Sequence, residues 1–160
     1  MKILVVSDTH GIDDNLEKAV YQEAPFDYLI HCGDVEGREI FIEALSECPC
    51  CMVAGNNDYF SDLPAEQEIC LESCRIMVTH GHSYGVSIDS TGIMDEAKFR
   101  GCQAVFFGHT HKPAILKGDG ILGVNPGSLS YPRQEGRRPS YAVVYAEEGK
   151  EFQVEIKYLL

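Results

Sequence analysis

The first third of the chain alternates short apolar runs with an amphipathic stretch. Apolar runs at residues 2–6, 28–30 and 51–54 predict three buried strands. Between the first two, Leu16, Ala19 and Val20 recur at helical spacing. A capping-box pattern starts this helix at Asp14, and Pro25 ends it. Strands that alternate with helices predict a parallel sheet with right-handed crossovers.

The rest of the chain is richer in strands. Further helices are predicted over residues 39–45 and 91–99, and further strands over residues 75–79, 104–107, 114–117, 121–124, 141–146 and 152–158. The run at 104–107 has no polar residue, so we expect it in the centre of a sheet, covered on both faces. Two packed sheets with helices outside account for both halves of the sequence. We therefore expect a single α/β domain over residues 1–160.

Polar clusters follow five of the apolar runs. They are Asp8-Thr9-His10, Gly33-Asp34, Gly55-Asn56-Asn57-Asp58, Thr79-His80-Gly81-His82 and Gly108-His109-Thr110-His111. Ligand sites of open α/β sheets form at the carboxyl ends of strands, so these clusters can converge on one crevice. Their donors are oxygen and imidazole nitrogen, without thiolate. This mixture favours a two-metal hydrolytic centre over a structural zinc site.

The order of these clusters carries a resemblance to a known family. Asp-x-His, Gly-Asp, Gly-Asn-x-Asp, a lone His and Gly-His-x-His resemble the calcineurin-like metallophosphoesterase superfamily over essentially the whole chain. Residues 4–11, 79–85 and 123–128, with Pro132-Arg133, are closest to its small bacterial and archaeal phosphodiesterase branch. The resemblance implies a four-layer α-β-β-α sandwich of two mixed sheets. It also implies phosphoester hydrolysis by in-line attack of a hydroxide that bridges two divalent metals.

The resemblance also assigns the metal ligands. The first ion would take Asp8, His10, Asp34 and His111, and the second would take Asp34, Asn56, His80 and His109. Asp34 would be the bridging, catalytic carboxylate. The implied metal is manganese, with iron, zinc or nickel as alternatives, since these donors do not choose among them.

Two departures from the family pattern narrow the expected reaction. Many members have His after the ligand Asn, where it is thought to protonate the leaving group, but this chain has Asn57. An amide has no usable proton near neutral pH. We therefore expect a preference for phosphodiesters or other substrates with good leaving groups. The segment Gly33-Asp34-Val35-Glu36-Gly37-Arg38 lacks the Gly-Asp-x-x-Asp-Arg-Gly block of phosphoprotein phosphatases.

Several further residues are candidates for contact with substrate. Besides Asn57, His82 would contact the substrate phosphate or orient His80, the alternative being an ordinary loop residue. Ser128, in the Asn-Pro-Gly-Ser loop, would offer a hydroxyl to phosphate, or the loop would be only a tight turn. Arg133 would clamp phosphate or belong to a solvated basic loop.

Three other residues have open alternatives. Tyr59 and Phe60 would line the pocket wall, or would be buried in a core or dimer contact. His31 lies three residues before Asp34, and we expect it to support a ligand or pack in the core rather than bind metal.

Composition and charge limit the partners. Hydrophobic residues make up 44% of the chain and the formal net charge is −12. A surface of this sign repels nucleic-acid backbones and anionic membranes, so we expect a small phosphoester substrate rather than long nucleic acid or a membrane. Two divalent ions would add about +4 at one spot and draw an anionic substrate locally. The oligomeric state stays open; relatives in the family that the chain resembles often form dimers or tetramers.

The cysteines indicate a reducing compartment. The chain has seven, and it begins without a secretory signal pattern or a membrane-spanning run, so we expect reduced thiols in the cytoplasm. A zinc cluster of Cys48, Cys50, Cys51, Cys70 and Cys74 is the alternative, but its spacing lacks the paired two-residue gaps of zinc ribbons.

A protein of a different class remains as an alternative to an enzyme. The scaffold subunit of retromer resembles this family in fold and serves as a non-catalytic interaction platform with an impaired metal site. All seven ligand positions hold competent residues in this chain. The sequence therefore favours an enzyme over a scaffold.

Overall fold

The computed structural model describes residues 1–159, which form strands and helices in alternation. The strands are β1 (Lys2–Val6), β2 (Tyr28–His31), β3 (Cys50–Met52), β4 (Glu66–Leu71), β5 (Cys74–Thr79), β6 (Ala104–Phe106), β7 (Pro113–Gly118), β8 (Ile121–Pro126), β9 (Ser140–Tyr145) and β10 (Gln153–Tyr158). The helices are α1 (Asp14–Glu23), α2 (Glu39–Ser46) and α3 (Thr91–Phe99), and a short 3-10 helix covers His82–Tyr84. The predicted bounds of α3 are confirmed without change.

The strands form two five-stranded sheets. The first sheet has the order β10-β9-β1-β2-β3, in which β1, β2 and β3 are parallel and β9 is antiparallel to both neighbours. The second has the order β4-β5-β6-β8-β7, with β5, β6 and β8 parallel and antiparallel strands at both edges. Both sheets are therefore mixed, as the resemblance implied.

Three apolar clusters define four layers. The inner faces of the two sheets share one cluster, which includes Val5 from β1 and Phe106 from β6. On the outer face of the first sheet, Leu16 of α1 and Ile42 of α2 pack against its strands. On the outer face of the second sheet, Ile93 of α3 packs against β5 and β6. The order helix, sheet, sheet, helix confirms the expected α-β-β-α sandwich.

The central strand β6 shows why its sequence is entirely apolar. Ala104 and Phe106 face the other sheet, whereas Val105 faces α3, and all three are 0% exposed. A strand that is covered on both faces has no position for a polar side chain. This confirms the prediction made for residues 104–107.

Two local features differ from the sequence-based prediction. Strand β4 (Glu66–Leu71) was not predicted, yet it pairs with β5 along six residues. The capping box is also wrong, because the N-cap of α1 is Asp13 and makes no side-chain capping bond. The carboxylate of Asp13 instead accepts hydrogen bonds from the guanidinium of Arg38, which ties the start of α1 to the start of α2.

A buried acid joins the first sheet to its helical layer. Glu23, at the end of α1, is only 3% exposed. Its carboxylate accepts hydrogen bonds from Tyr141 at 2.7 Å and from Lys157 at 3.0 and 3.1 Å, and it lies 3.1 Å from the ammonium of Lys2. Burial raises the pKa of Glu23, but these partners lower it by more, so the net shift is downward.

Across residues 1–159, no helix is both long and apolar enough to cross a lipid bilayer.

Candidate metal centre

The predicted ligands follow strand ends in an unusual backbone conformation. Five of them have positive φ angles: Asp8 (54°), His10 (50°), Asp34 (58°), His109 (72°) and His111 (59°). Residues other than glycine seldom adopt the left-handed region, and its occurrence at several positions in one crevice is typical of functional sites. The turns bring together side chains from both sheets, since Asp8 follows β1 whereas His109 follows β6.

Four of the expected ligands lie close enough to hold one cation. One donor atom each from Asp8, His10, Asp34 and His111 lies within 4.8 Å of all the others. The His111 Nε2 atom is 3.2 Å from Asp8 Oδ1 and also 3.2 Å from His10 Nε2. These are the four residues that the resemblance assigned to the first ion.

The remaining expected ligands lie beside this cluster. His80 Nε2 is 3.4 Å from Asp34 Oδ2 and 3.7 Å from Asp8 Oδ1. The rings of His80 and His109 have centroids 5.2 Å apart, and His109 Nδ1 is 3.0 Å from Asn56 Oδ1. Asp34 therefore lies between two groups of donors, where a bridging carboxylate is expected.

Three of the histidines are fixed by a partner on their other ring nitrogen. His80 Nδ1 donates to the carbonyl of Cys32 at 2.7 Å, and His111 Nδ1 donates to the carbonyl of Tyr131 at 2.7 Å. His10 Nδ1 lies 2.8 Å from the carboxylate of Glu36. Histidines that bind metals show this arrangement, because the anchored nitrogen leaves Nε2 free to face the ion.

Two buried atoms in the centre of the cluster lack partners. Within residues 1–159, Asp8 Oδ1 and His80 Nε2 are shielded from solvent and have no hydrogen bond of good geometry, although His111 Nε2 lies 3.2 Å from the first and Asp34 Oδ2 lies 3.4 Å from the second. Buried polar atoms are nearly always paired, and an unpaired one indicates an ion or water that belongs there. Because Asp8 and Asp34 are 0% and 1% exposed, the crevice also holds two buried carboxylates, which a cation would neutralise.

The pKa values of Asp8, Asp34 and His80 depend on one another. Burial alone would raise the pKa of Asp8 and of Asp34, but neighbouring histidines lower both, with His80 acting on each. Burial alone would lower the pKa of His80, but Asp34 and Asp8 raise it. The carboxylates therefore stay ionised and attract positive charge to this point.

Asp58, to which the sequence assigned no role, holds the loop of Asp34 in place. Its Oδ2 atom accepts hydrogen bonds from the backbone N–H groups of Gly55 at 2.7 Å, Asp34 at 2.9 Å and Val35 at 3.2 Å. Its Oδ1 atom accepts from the N–H of Glu36 at 2.7 Å. One carboxylate thus fixes two turns that carry ligands. The clue in the sequence was the short spacing within Gly-Asn-x-Asp, since Asp side chains often bond to nearby backbone.

His31 supports the cluster without joining it. It is completely buried, accepts a hydrogen bond from the N–H of Gly33 on Nδ1, and lies 2.9 Å from the hydroxyl of Thr9 through Nε2. Burial lowers the pKa of His31 to about 4, so the ring is neutral near pH 7. We infer that Nε2 carries its proton and donates to Thr9.

The expected substrate residues Asn57 and His82 lie at the crevice. The backbone N–H of Asn57 donates to Asp34 Oδ1 at 2.9 Å, and its side-chain amide donates to Asp34 Oδ2 at 3.0 Å. His82 is exposed, with its ring centroid 5.4 Å from that of His80. Partial desolvation of the ring beside the crevice and the charge of His80 lower the pKa of His82. Asn57 therefore orients the central carboxylate, and His82 is open to solvent beside it.

Of the two other expected substrate residues, Ser128 is buried and Arg133 is exposed. Ser128 is 0% exposed, and its hydroxyl donates to the carbonyl of Asp8 while accepting from the N–H groups of Ser130 and Tyr131. It stabilises the turn that holds Asp8, and its hydroxyl is not available to a substrate here. Arg133 is exposed and lines a separate cavity of about 410 Å³.

Tyr59 and Phe60 are not buried. Their exposed fractions are 78% and 103%, so the alternative of a core position is wrong. Both line a cavity of about 620 Å³ that also includes Asn57.

The cysteines do not form a zinc site in the described part of the chain. All seven are free, and the four residues of the first cluster are the only group of His, Cys, Asp or Glu that converges within residues 1–159. Burial raises the pKa of Cys51 to about 12, and its thiol donates to the side chain of Gln67. The buried Cys32, Cys51 and Cys102 therefore act as small packing residues.

Comparison with known sequences gives matches over almost the whole chain. The family model of the calcineurin-like phosphoesterase superfamily domain matches residues 1–149. The probable metallophosphoesterase YsnB of Bacillus subtilis is 35% identical over 150 residues, which cover 92% of this chain and 85% of YsnB. The phosphodiesterase YfcE of Escherichia coli is 27% identical over 168 residues, covering 90% and 87% of the two chains.

Comparison with solved structures also finds a predicted phosphoesterase. The crystal structure of a predicted phosphoesterase from Streptococcus pneumoniae has a TM-score of 0.84 at 30% identity and covers 98% of this chain and 88% of its own. Vps29 of Entamoeba histolytica, solved with zinc, has a TM-score of 0.79 at 17% identity, with 99% of each chain covered. At that identity the second similarity concerns the fold alone.

Proposed function

The chain belongs to the calcineurin-like phosphoesterase superfamily, and from that membership we propose that it is a phosphodiesterase that acts with two divalent metal ions. The observation that carries the proposal is the pair of buried, unpartnered atoms, Asp8 Oδ1 and His80 Nε2, beside the carboxylate of Asp34. Asp8 Oδ1 would face the first ion and the anchored His80 Nε2 the second, and the carboxylate of Asp34, 3.4 Å from His80 Nε2, would be shared by both.

The two ions would have separate sets of ligands that meet at one residue. We propose Asp8, His10, Asp34 and His111 for the first ion and Asp34, Asn56, His80 and His109 for the second. The donors are carboxylate, amide oxygen and imidazole, a mixture that suits manganese and also iron, zinc or nickel. When bound, such a pair of ions polarises water and neutralises the charge that develops on a phosphate group.

The residues of the chain set the type of substrate. Asn57 uses its amide to hold Asp34 and has no proton to give near neutral pH, so position 57 does not assist a departing alkoxide. A substrate whose leaving group departs without protonation is therefore favoured. The net charge of −12 disfavours long nucleic acid, and a small phosphodiester is the proposed substrate.

The test is hydrolysis of bis(p-nitrophenyl) phosphate with added Mn²⁺, together with the metal content of the purified protein. We expect turnover that a chelator abolishes. Asp34→Asn should lower kcat/KM by at least about 100-fold, since it removes the charge that both ions would share. Asn tolerates the left-handed backbone at this position, where φ is 58°, so the loop should keep its shape.

The control is Asp119→Asn in the turn between β7 and β8, where the side chain is 78% exposed. This variant should keep its activity and its metal. An Asp34→Asn enzyme with a near-normal rate would contradict the bridging role. A wild-type protein with neither metal nor hydrolysis would instead favour the interaction scaffold.

A further inference from the structure

A cavity of about 620 Å³ lies beside the metal centre and is lined by two exposed aromatic rings. Two of its lining residues contact expected metal ligands, since Asn57 donates to Asp34 and Glu36 lies 2.8 Å from His10 Nδ1. Tyr59 and Phe60 also line it, with 78% and 103% of their surface exposed. Two adjacent aromatic rings at this exposure contribute nothing to the core, so packing does not explain them.

The loop that carries the two rings is held at both ends. The N–H of Asp58 donates to the carbonyl of Gly55 at 3.1 Å, and the hydroxyl of Ser61 donates to Glu39 at 3.2 Å. The N–H of Ala54 donates to the carbonyl of Pro64 at 2.8 Å. A surface that is positioned before a ligand arrives loses little entropy when the ligand binds.

The charge of the cavity selects which part of a substrate it can accept. Four acidic residues line it, and no Lys or Arg of the described residues does; the acids are Glu36, Glu39, Asp58 and Asp62. A second phosphate would meet carboxylates there, whereas an uncharged planar group would meet two aromatic faces. The phosphate would instead bind at the metal centre, which adjoins the cavity through Asn57.

We propose that this cavity binds the base of a nucleotide-type phosphoester through Tyr59 and Phe60 while the phosphate occupies the metal centre. The inference rests on the proposed function and names its substrate class. The volume falls in the range of ordinary small-molecule sites, which is roughly 300–1,000 Å³. Stacking of a base on an aromatic side chain is sequence-tolerant and contributes about 1–3 kcal/mol per base, so several nucleobases should be accepted.

The test compares two inhibitors that differ only in the base. Adenosine 5′-monophosphate and ribose 5-phosphate share the sugar and phosphate, and each competes with bis(p-nitrophenyl) phosphate in the Mn²⁺ assay. For wild type, we expect the nucleotide to have a Ki about 5- to 150-fold lower than that of ribose 5-phosphate. In the double variant Tyr59→Ala with Phe60→Ala, the ratio of the two Ki values should fall to within about twofold of one.

Phe99→Ala is the matched control, since Phe99 is 86% exposed at the end of α3 and does not line this cavity. It should keep the wild-type ratio. A wild-type ratio near one, or a ratio that the double variant leaves unchanged, overturns the proposal.

Calorimetry with the same two ligands and Mn²⁺ separates this proposal from the proposed function. Base-dependent binding without hydrolysis would refute the phosphodiesterase assignment and support the cavity. Hydrolysis without base-dependent binding would support the phosphodiesterase assignment and refute the proposal for the cavity.

Discussion

Replacing Gly55 by alanine should disable the site through one methyl group. A Cβ atom at Gly55 would lie 2.2 Å from Asp34 Oδ1 and 2.4 Å from the backbone nitrogen of Asp34. Ordinary contacts begin at 3.4 Å, so the overlap with the nitrogen is about 1 Å. A side-chain rotation cannot relieve a clash with backbone, particularly where Asp58 holds both N–H groups at 2.7 and 2.9 Å.

The expected effects follow from that displacement. Moving a catalytic group by about 1 Å can cost about 100-fold in rate, and overpacking typically costs about 1–3 kcal/mol of stability. For a chain of this size, that loss lowers Tm by roughly 2–12 °C. We expect Gly55→Ala to lose at least about 100-fold in kcat/KM for bis(p-nitrophenyl) phosphate and to bind Mn²⁺ more weakly, while remaining folded at the assay temperature.

The control for this assay is a glycine at which an added methyl group would contact no other atom. Gly118, at the end of β7, has no heavy atom within 4 Å of the corresponding position, so Gly118→Ala should keep its activity and metal content. Circular dichroism at the assay temperature checks that both variants are folded. A folded Gly55→Ala enzyme with wild-type kcat/KM would refute the reasoning, because the clash would then be relieved without moving Asp34.

Three further predictions test separate parts of the structure. Asp58→Asn should lower stability by about 1–3 kcal/mol in urea unfolding and weaken Mn²⁺ binding in calorimetry, because an amide has one acceptor oxygen for four N–H groups. Asn57→His should speed hydrolysis of diesters with poor leaving groups by about 10- to 100-fold, since it adds a general acid. Equal rates for wild type and Asn57→His would refute the inference that position 57 lacks the acid for the leaving group. Glu23→Gln should lower stability by about 1–3 kcal/mol at pH 7. The pKa of Glu23 is lowered from 4.5 on folding, so its contribution is complete above about pH 4.5 and is lost as pH falls below it.

The Glu23 and Asp58 predictions have controls of their own. The Tm of Glu23→Gln should fall less steeply than that of wild type between pH 5 and about pH 3, and parallel curves would show that the carboxylate contributes nothing. Glu147→Gln, at an exposed ion pair with Lys150, should leave the curve unchanged. Metal binding of wild-type strength in Asp58→Asn would show that the loop of Asp34 needs no support from position 58.

The sequence was most informative where apolar runs and polar clusters alternate. The strands that carry the expected ligands are largely buried, and buried strands have a clear hydrophobic pattern. The edge strand β4 (Glu66–Leu71) was missed because only two of its apolar residues, Ile69 and Leu71, pack against the core, and two alternating positions are too short a pattern to predict a strand. Its other side chains are mostly polar, as is common for edge strands.

The supporting contacts of the site were less predictable than the ligands themselves. For Ser128, both contact with phosphate and a place in a tight turn were open, and in the structure its hydroxyl bonds to backbone groups near Asp8. Similarly, the carboxylate of Asp13 bonds to Arg38 instead of capping α1. Both outcomes depend on distant segments that meet only in the folded chain. Local spacing predicts which residues carry chemistry, but it does not predict which partner satisfies each polar group.

The crevice draws its donors from both sheets, and this has a mechanical consequence. Asp8, Asp34 and Asn56 follow strands of the first sheet, whereas His80, His109 and His111 follow strands of the second. A cation bound between them would link the two sheets at this end of the sandwich. Backbone amides at the carboxyl ends of β1 and β6 should then exchange with deuterium more slowly, and in concert, when metal is added, while the opposite end of the sandwich keeps its own rate.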